Sequence, residues 1–305
     1  MKNIIVIAGA TASGKTSLAI KLAKAFDGEV VSADSMQVYK NMDIGTAKPD
    51  DEEMDGIRHH MLSVADPGDG YSAKDYLDGA KCAIEDILSR GKLPIVAGGT
   101  GMYLDLLTGR MDFDAPASDE KVRSSLTALY EEKGIDALYE IFLAEAGEYE
   151  GKIHKNDVKR IIRAIERARC GFVKDTKIKE NEYNSIWLAI DIDRERLYNR
   201  IDKRVDVMLE RGLLEEVEKV IVPIRDKCTT SLAGIGYKEV LMYFDGDITY
   251  EEMSLLIKKR SRNYAKRQLT WFRRNKDICW LNEERAFDEA VKIIKERTIN
   301  NENSN

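Results

Sequence analysis

The chain has 305 residues, 43% of them hydrophobic and 33% charged, with a formal net charge of −6. That is enough apolar material for a full core with one or two satellite domains. No apolar run approaches the ~18 residues of a membrane span, and the N-terminus enters a strand without a charged leader. Neither a membrane-spanning segment nor a secretory signal is therefore expected.

Asn3 to Ala8 is a short β-branched run that reads as a buried strand. It enters Gly9-Ala10-Thr11-Ala12-Ser13-Gly14-Lys15-Thr16, and helical spacing follows at Leu18, Leu22 and Phe26. Strand, Gly-x-x-x-x-Gly-Lys-Thr loop and helix together are the context of a polyphosphate site. The glycines let backbone N–H groups converge on phosphate oxygens, and the helix N-terminus adds partial positive charge. Lys15 supplies a mobile cation, and Thr16 a hydroxyl able to ligate Mg²⁺.

Glu29 to Asp34 reads as a second strand, and Ser35-Met36-Gln37 follows it. Ligands of parallel α/β sheets sit at the carboxyl ends of the strands, which places Asp34 on the crevice of the phosphate loop. The alternative role for Asp34 is a helix N-cap. His59 to Val64 reads as a short strand, with both histidines structural or solvent-facing. Tyr71 to Arg90 reads as a helix capped by Ser72 and ended by Gly91. Leu93 to Gly98 is a strand running into the turn Gly98-Gly99-Thr100-Gly101, where glycines allow close backbone approach to a ligand and Thr100 offers a hydroxyl.

From Asp112 to about Tyr183 strand signals stop, and short helices over 118–133, 135–145 and 157–169 read as an insertion between two α/β stretches. Lys159, Arg160, Arg163 and Arg167 recur at helical spacing, either as a solvated face or as a phosphate-binding one. Ile186 to Asp191 returns as a strand. A helical stretch then runs from Arg194 to about Val222, broken at Gly212. It carries Arg200 and Arg204 on one face, which either reach a polyphosphate or pair with neighbouring acids. Met253 to Arg274 reads as a helix, and its stretch from Lys258 to Arg274 holds eight basic residues and no acidic one, the footprint of a phosphate backbone on an otherwise acidic protein. Ile278 to Leu281 reads as a last strand and Phe287 to Arg297 as a closing helix, and the polar tail 300–305 is expected to be disordered.

Cys82, Cys170, Cys228 and Cys279 show neither metal-ligand nor disulfide spacing. They read as free thiols of a cytoplasmic protein, and three histidines do not complete a zinc site with them. The fold class expected is α/β: a P-loop NTPase-like parallel sheet with a helical insertion and C-terminal helices. The domain division is 1–111, 112–183 and 184–305. A small-molecule kinase fits the loop but has no use for a long basic helix. A transferase in which diphosphate leaves fits better. The loop, Lys15 and Mg²⁺ would stabilise the leaving charge while Asp34 takes a proton from a weak nucleophile such as an exocyclic base amine.

Six blocks occur in order: Gly9 to Thr16, Asp34 to Tyr39, Asp43 to Pro49, Gly98 to Tyr103, Ile235 to Tyr237, and Ala265 to Trp271. On these the chain resembles the tRNA dimethylallyltransferases (tRNA isopentenyltransferases) of the bacterial type from about Asn3 to Leu281. The resemblance implies transfer of a dimethylallyl group from dimethylallyl diphosphate to N6 of the adenosine 3′ of the anticodon (A37), with Mg²⁺. It also implies a helical insertion that clasps the anticodon stem-loop, and nothing in the sequence demands more than a monomer. By resemblance, Gly9 to Thr16 hold the diphosphate, Thr16 serves the metal, and Asp34 is the base. Ser35, Met36 and Gln37 line the channel for the acceptor base. Thr100 bonds an oxygen of the donor, and Arg204 binds diphosphate. The tRNA surface implied comprises Arg123, Lys159, Arg160 and Arg163 of the insertion, Gly236, Tyr237, and Lys266, Arg267, Gln268, Thr270, Trp271 and Arg273. Ala10 departs from the family's usual proline and Met102 from leucine, and the eukaryotic zinc finger is absent. The rivals are a prenyltransferase acting on free AMP, ADP or ATP, the kinase, and an RNA-binding module without chemistry.

Overall fold

The computed structural model describes residues 2–111, 119–170, 182–228 and 230–302. They divide into two units, Met1–Met111 with Glu180–Asn305, and Asp112–Lys179.

The first unit begins with β1 (Lys2–Ala8) and α1 (Lys15–Ala25), followed by β2 (Gly28–Ser32). Next come the single turn α2 (Asp51–Met54) and β3 (His59–His60), then α3 (Ala73–Ser89), β4 (Leu93–Gly98) and α4 (Gly101–Leu107). The second unit contributes α5 (Glu120–Ala146) and α6 (Val158–Arg169). The first unit resumes with β5 (Tyr183–Asp191), α7 (Arg194–Glu210), α8 (Leu213–Val220), α9 (Tyr237–Phe244) and α10 (Tyr250–Phe272). It ends with β6 (Cys279–Asn282) and α11 (Ala286–Glu302).

All pairings in the six-stranded sheet are parallel, in the order β3-β2-β4-β1-β5-β6. This is the P-loop NTPase-like α/β architecture. Both faces of β1 are covered: Ile4, Val6 and Ala8 pack with α3 and α4, while Ile5 and Ile7 pack with α1 and α11. That double burial explains why the strand reads as continuously apolar rather than alternating. Capping boxes led by Asp50, Ser72 and Thr249 start α2, α3 and α10, each satisfying backbone N–H groups that the first turn leaves free.

Several boundaries differ from the sequence reading. β2 ends at Ser32 instead of Asp34, which leaves Asp34 in the turn beyond the strand, and β5 starts at Tyr183 instead of Ile186. β3 stops at His60 instead of Val64, because Met61 and Ser63 take positive φ values of 63° and 53° that no strand tolerates. α10 starts at Tyr250 instead of Met253, because Thr249 caps it. The helices expected over 118–133 and 135–145 join into α5, kinked at Gly134 with φ 78°; Ser118 lies outside the described residues. α11 runs through Glu302, so the expected disorder does not begin at Asn300, and 303–305 lie outside the described residues.

The second unit has its own core, in which Leu126, Leu138 and Phe142 of α5 meet Ile161, Ile162 and Ile165 of α6. Glu166, only 3% exposed, accepts from Asp119 N at 2.6 Å and from Arg123 Nε and Nη2 at 3.1 and 3.0 Å. The buried carboxylate is thus paired as burial requires.

Candidate active site

Three strand ends build the site. After β1, Gly9 admits the loop because a Cβ there would lie 2.9 Å from Ser13 Oγ. Gly14 takes φ 88° immediately before α1, a conformation that costs L-residues with side chains. Ala12 holds a positive φ of 61°, strain of the kind that persists at ligand-binding turns. Ala10, in the position of the family's proline, is fully buried and packs with Leu197, Ile201 and Ala265. The substitution therefore leaves the base of the loop filled.

Lys15 Nζ donates to Ala10 O at 2.9 Å. Burial lowers its pKa to about 8, with Asp34 opposing the shift and Arg204 adding to it. Arg204, on α7, donates from Nη2 to Thr46 O at 3.3 Å. Its buried Nε has no hydrogen-bond partner among the described residues, and burial lowers its pKa, with Asp34 and Glu53 acting the other way. Two half-buried cations within electrostatic reach of each other on the cavity wall are what an anionic ligand would stabilise. Ser13 Oγ is likewise buried without a partner among the described residues. A cavity of about 1040 Å³ opens here, lined by Ala12 to Ser17, by Asp43 and Ile44, and by Arg200, Lys203 and Arg204. Arg200 pairs with Glu283 rather than with an acid on its own helix.

The second and third strand ends are locked together. A Cβ on Gly98 would fall 2.1 Å from Ala33 O, so glycine lets β4 close onto β2. Ala33 N donates to Ala97 O at 2.8 Å and Thr100 N to Ala33 O at 3.1 Å. Thr100 Oγ1 accepts from Ser35 N at 3.0 Å and donates to Ser35 Oγ at 3.3 Å. Asp34 Oδ1 accepts from Met36 N at 2.9 Å and Gln37 N at 3.4 Å. Asp34 thus caps a turn instead of the expected helix, and it interacts electrostatically with Lys15 and Arg204.

The block Asp43 to Pro49 is held by residues that sequence reasoning missed. Glu216 of α8 accepts from Asp43 N and Ile44 N at 2.7 Å each, from Gly45 N at 3.0 Å, and from Tyr237 Oη at 2.8 Å. A Cβ on Gly45 would lie 2.6 Å from the Tyr237 ring. Glu216 shares the buried face of α8 with Leu213 and Val217, whereas the acids Glu215 and Glu218 are exposed, and residue type alone does not separate the three. Glu216→Ala should remove about 3 kcal/mol of stability by stranding these donors, read as a denaturation midpoint well below that of Glu216→Gln. Equal midpoints would leave the four bonds without energetic weight.

Several residues expected on the RNA surface face inward. Tyr237 and Gly236 are buried, Tyr237 on Glu216 and Gly236 N donating to Glu239 Oε2 at 2.8 Å. Gln268 is 5% exposed and bonded at both ends of its amide. Gln37 accepts from Ser32 Oγ at 3.0 Å and donates to Ala47 O at 3.2 Å, which makes it a strut rather than a free channel wall. Arg123 is committed to Glu166. Polarity in the sequence shows the wish for a partner but not which one. Trp271 donates from Nε1 to Asp105 Oδ2 at 2.8 Å, with its ring against Gly101, while Phe272 is buried.

Lys266, Arg267, Thr270 and Arg273 are exposed, as are Lys159, Arg160 and Arg163 on the second unit. The basic run of α10 is partly neutralised, since Lys258 pairs with Asp206, Arg260 with Glu239 and Arg262 with Asp202. Lys266 and Arg267 form no ion pair with any of the described residues, which leaves them the better phosphate contacts. Lys266→Ala or Arg267→Ala should weaken binding to RNA and reduce the slope of log K against log salt by about one unit. A slope equal to wild type removes that residue from the track.

Residues 37–275 match the family model described as IPP transferase. The tRNA dimethylallyltransferase of Acetivibrio thermocellus is 44% identical over 301 residues, which cover 97% of this chain and 96% of that protein. Among solved structures, the tRNA delta(2)-isopentenylpyrophosphate transferase of Staphylococcus epidermidis matches with a TM-score of 0.72 and 40% identity, covering 97% of this chain and all of that one. A eukaryotic dimethylallyltransferase acting on tRNA matches with a TM-score of 0.80 and 31% identity, covering 99% of this chain and 80% of that one.

Proposed function

Because the chain belongs to the tRNA dimethylallyltransferase family, we propose that it transfers the dimethylallyl group of dimethylallyl diphosphate to N6 of adenosine 37 in tRNA. The observation that carries this reading is that two half-buried cations, Lys15 and Arg204, lie within electrostatic reach of Asp34, whose neighbour Ser35 is bonded to Thr100. Leaving charge can be met by the cations while a proton is taken up at Asp34.

In the reaction the C1–O bond to diphosphate breaks, with its electron pair going to the leaving oxygen, and N6 bonds to C1. The N6 proton passes to Asp34. Lys15, Arg204 and the N–H groups of the loop meet the charge that develops on diphosphate, and Thr100 bonds an oxygen of the donor. Among the described residues no group of three or more His, Cys, Asp or Glu could hold a metal, whereas Thr16 lies on the cavity wall. That donor set fits Mg²⁺, which takes few protein ligands when phosphates supply the rest. Bound there through Thr16, Mg²⁺ would supply further charge neutralisation for the leaving group.

The tRNA surface comprises Lys266, Arg267, Thr270, Trp271 and Arg273, with Lys159, Arg160 and Arg163 on the insertion, which contacts the anticodon stem-loop. Ser35 and Met36 border the acceptor base. The proposal places the protein in the cytoplasm as a monomer; no helix among the described residues is long and apolar enough to cross a membrane.

The test is mass spectrometry of nucleosides after incubation of unmodified tRNA, dimethylallyl diphosphate and Mg²⁺ with the protein, with AMP in a parallel reaction. A five-carbon adduct on adenosine 37 and none on AMP is expected. An adduct on AMP alone would overturn the proposal in favour of a mononucleotide prenyltransferase.

A further inference from the structure

Gln268 lies where the two halves of the site meet. It is buried, and both ends of its amide are used: Oε1 accepts from Thr11 N at 2.9 Å, and Nε2 donates to Gly99 O at 2.9 Å. These partners define the orientation of the amide, since Thr11 N–H needs an acceptor and the Gly99 carbonyl a donor. Gly99 is glycine for the same reason, because a Cβ there would lie 2.2 Å from Gln268 Nε2. One side chain therefore spans from the loop expected to hold diphosphate to the turn carrying Thr100, and Thr100 is bonded to Ser35 next to Asp34. It also takes the Thr11 N–H out of the set available to phosphate.

Gln268 is not what fastens α10 to the molecule. Met253, Ile257, Ala265 and Phe272 bury their side chains, and Trp271 bonds Asp105. The amide does something these apolar contacts do not, which is to set a spacing between two backbone segments by two directional bonds. No other neutral side chain but the shorter Asn offers an amide donor and acceptor together; a carboxylate would oppose its oxygen to Gly99 O, and a lysine has no acceptor for Thr11.

We propose that Gln268 is a positioning residue that sets the distance between the leaving diphosphate and the Asp34–Thr100 corner, and that it touches neither substrate nor RNA. The inference rests on the prenyl-transfer reading above. In that reaction the breaking C1–O bond and the attacking N6 must lie in line, and a misplacement of about 1 Å costs roughly 10² in rate. Gln268 also sits between exposed Arg267 and Thr270 on the same helix, so it joins the face expected to hold tRNA to the phosphate loop.

The experiment compares wild type, Gln268→Ala, Gln268→Met, Gly99→Ala and the Gly99→Ala/Gln268→Ala pair, with kcat and both KM values measured on tRNA and dimethylallyl diphosphate. Gln268→Met keeps the volume and loses both bonds, so it preserves folding if Gln268→Ala does not. The Gln268 variants are expected to lower kcat about 10²-fold with each KM within about 3-fold of wild type. Gly99→Ala should lose a similar amount alone and far less in the Gln268→Ala background, where the colliding amide is gone and only Gly9 O, 3.3 Å from the added Cβ, remains close. A raised KM for tRNA with intact kcat would make Gln268 an RNA contact, and unchanged kinetics or full additivity would also overturn the inference. A wild-type protein that leaves tRNA unmodified overturns the parent reading and this one with it. An active wild type with unaffected variants overturns this one alone.

Discussion

Asp34→Asn should lower turnover by about 10²–10⁴-fold while leaving tRNA affinity and thermal stability near wild type. The substitution is chosen because the Oδ1 atom of Asp34 already has structural work, accepting from Met36 N and Gln37 N. Asparagine keeps that acceptor and the turn it closes, and removes only the capacity to take a proton. Asp34→Ala removes both, so the difference in stability between the two variants reports the turn, and their shared loss of rate reports the base. Single-turnover rates on pre-bound tRNA separate chemistry from binding. A near-normal rate in Asp34→Asn would leave Asp34 as a cap alone and require another proton acceptor at the acceptor amine.

Lys15→Met should cost about 10²–10³ in turnover, the range seen when one preorganised charge stabiliser is removed. Methionine retains most of the buried stem, so the loop keeps its packing. The pH dependence gives an independent check. Burial brings Lys15 down to about 8 in the free protein, and only the protonated form counters diphosphate charge. kcat/KM for dimethylallyl diphosphate, at saturating tRNA, should therefore be level below pH 8 and fall about tenfold per unit above it. Bound diphosphate favours the ammonium, so kcat itself should hold to higher pH than kcat/KM. A flat kcat/KM through pH 10, with the enzyme still folded, would mean that Lys15 keeps its proton in the free site.

Most of the scaffold was legible in the sequence, because the features involved are local. A buried parallel strand must be apolar on both faces, a phosphate loop needs glycine where φ turns positive, and a helix needs a cap at its start. Gly14, Ser72 and Gly212 are each readable from a few neighbouring residues, and each takes the role its type suggests. The order of the six blocks along the chain was enough to point to the family.

Only the tertiary structure decided which polar residues face outward. Gln268, Tyr237, Gly236 and Arg123 sit in stretches that look like RNA-facing surface, and all four are engaged with partners inside the protein. Lys258, Arg260 and Arg262 look like a continuous basic track, yet Asp206, Glu239 and Asp202 neutralise them from other helices. Glu216 looks like one more surface acid and holds a whole loop instead. Backbone conformation is set by sterics and hydrogen bonds within a few residues, so a sequence displays it. The partner of a charge or an amide is set by which distant segment folding brings within about 3 Å, and no local pattern encodes that distance.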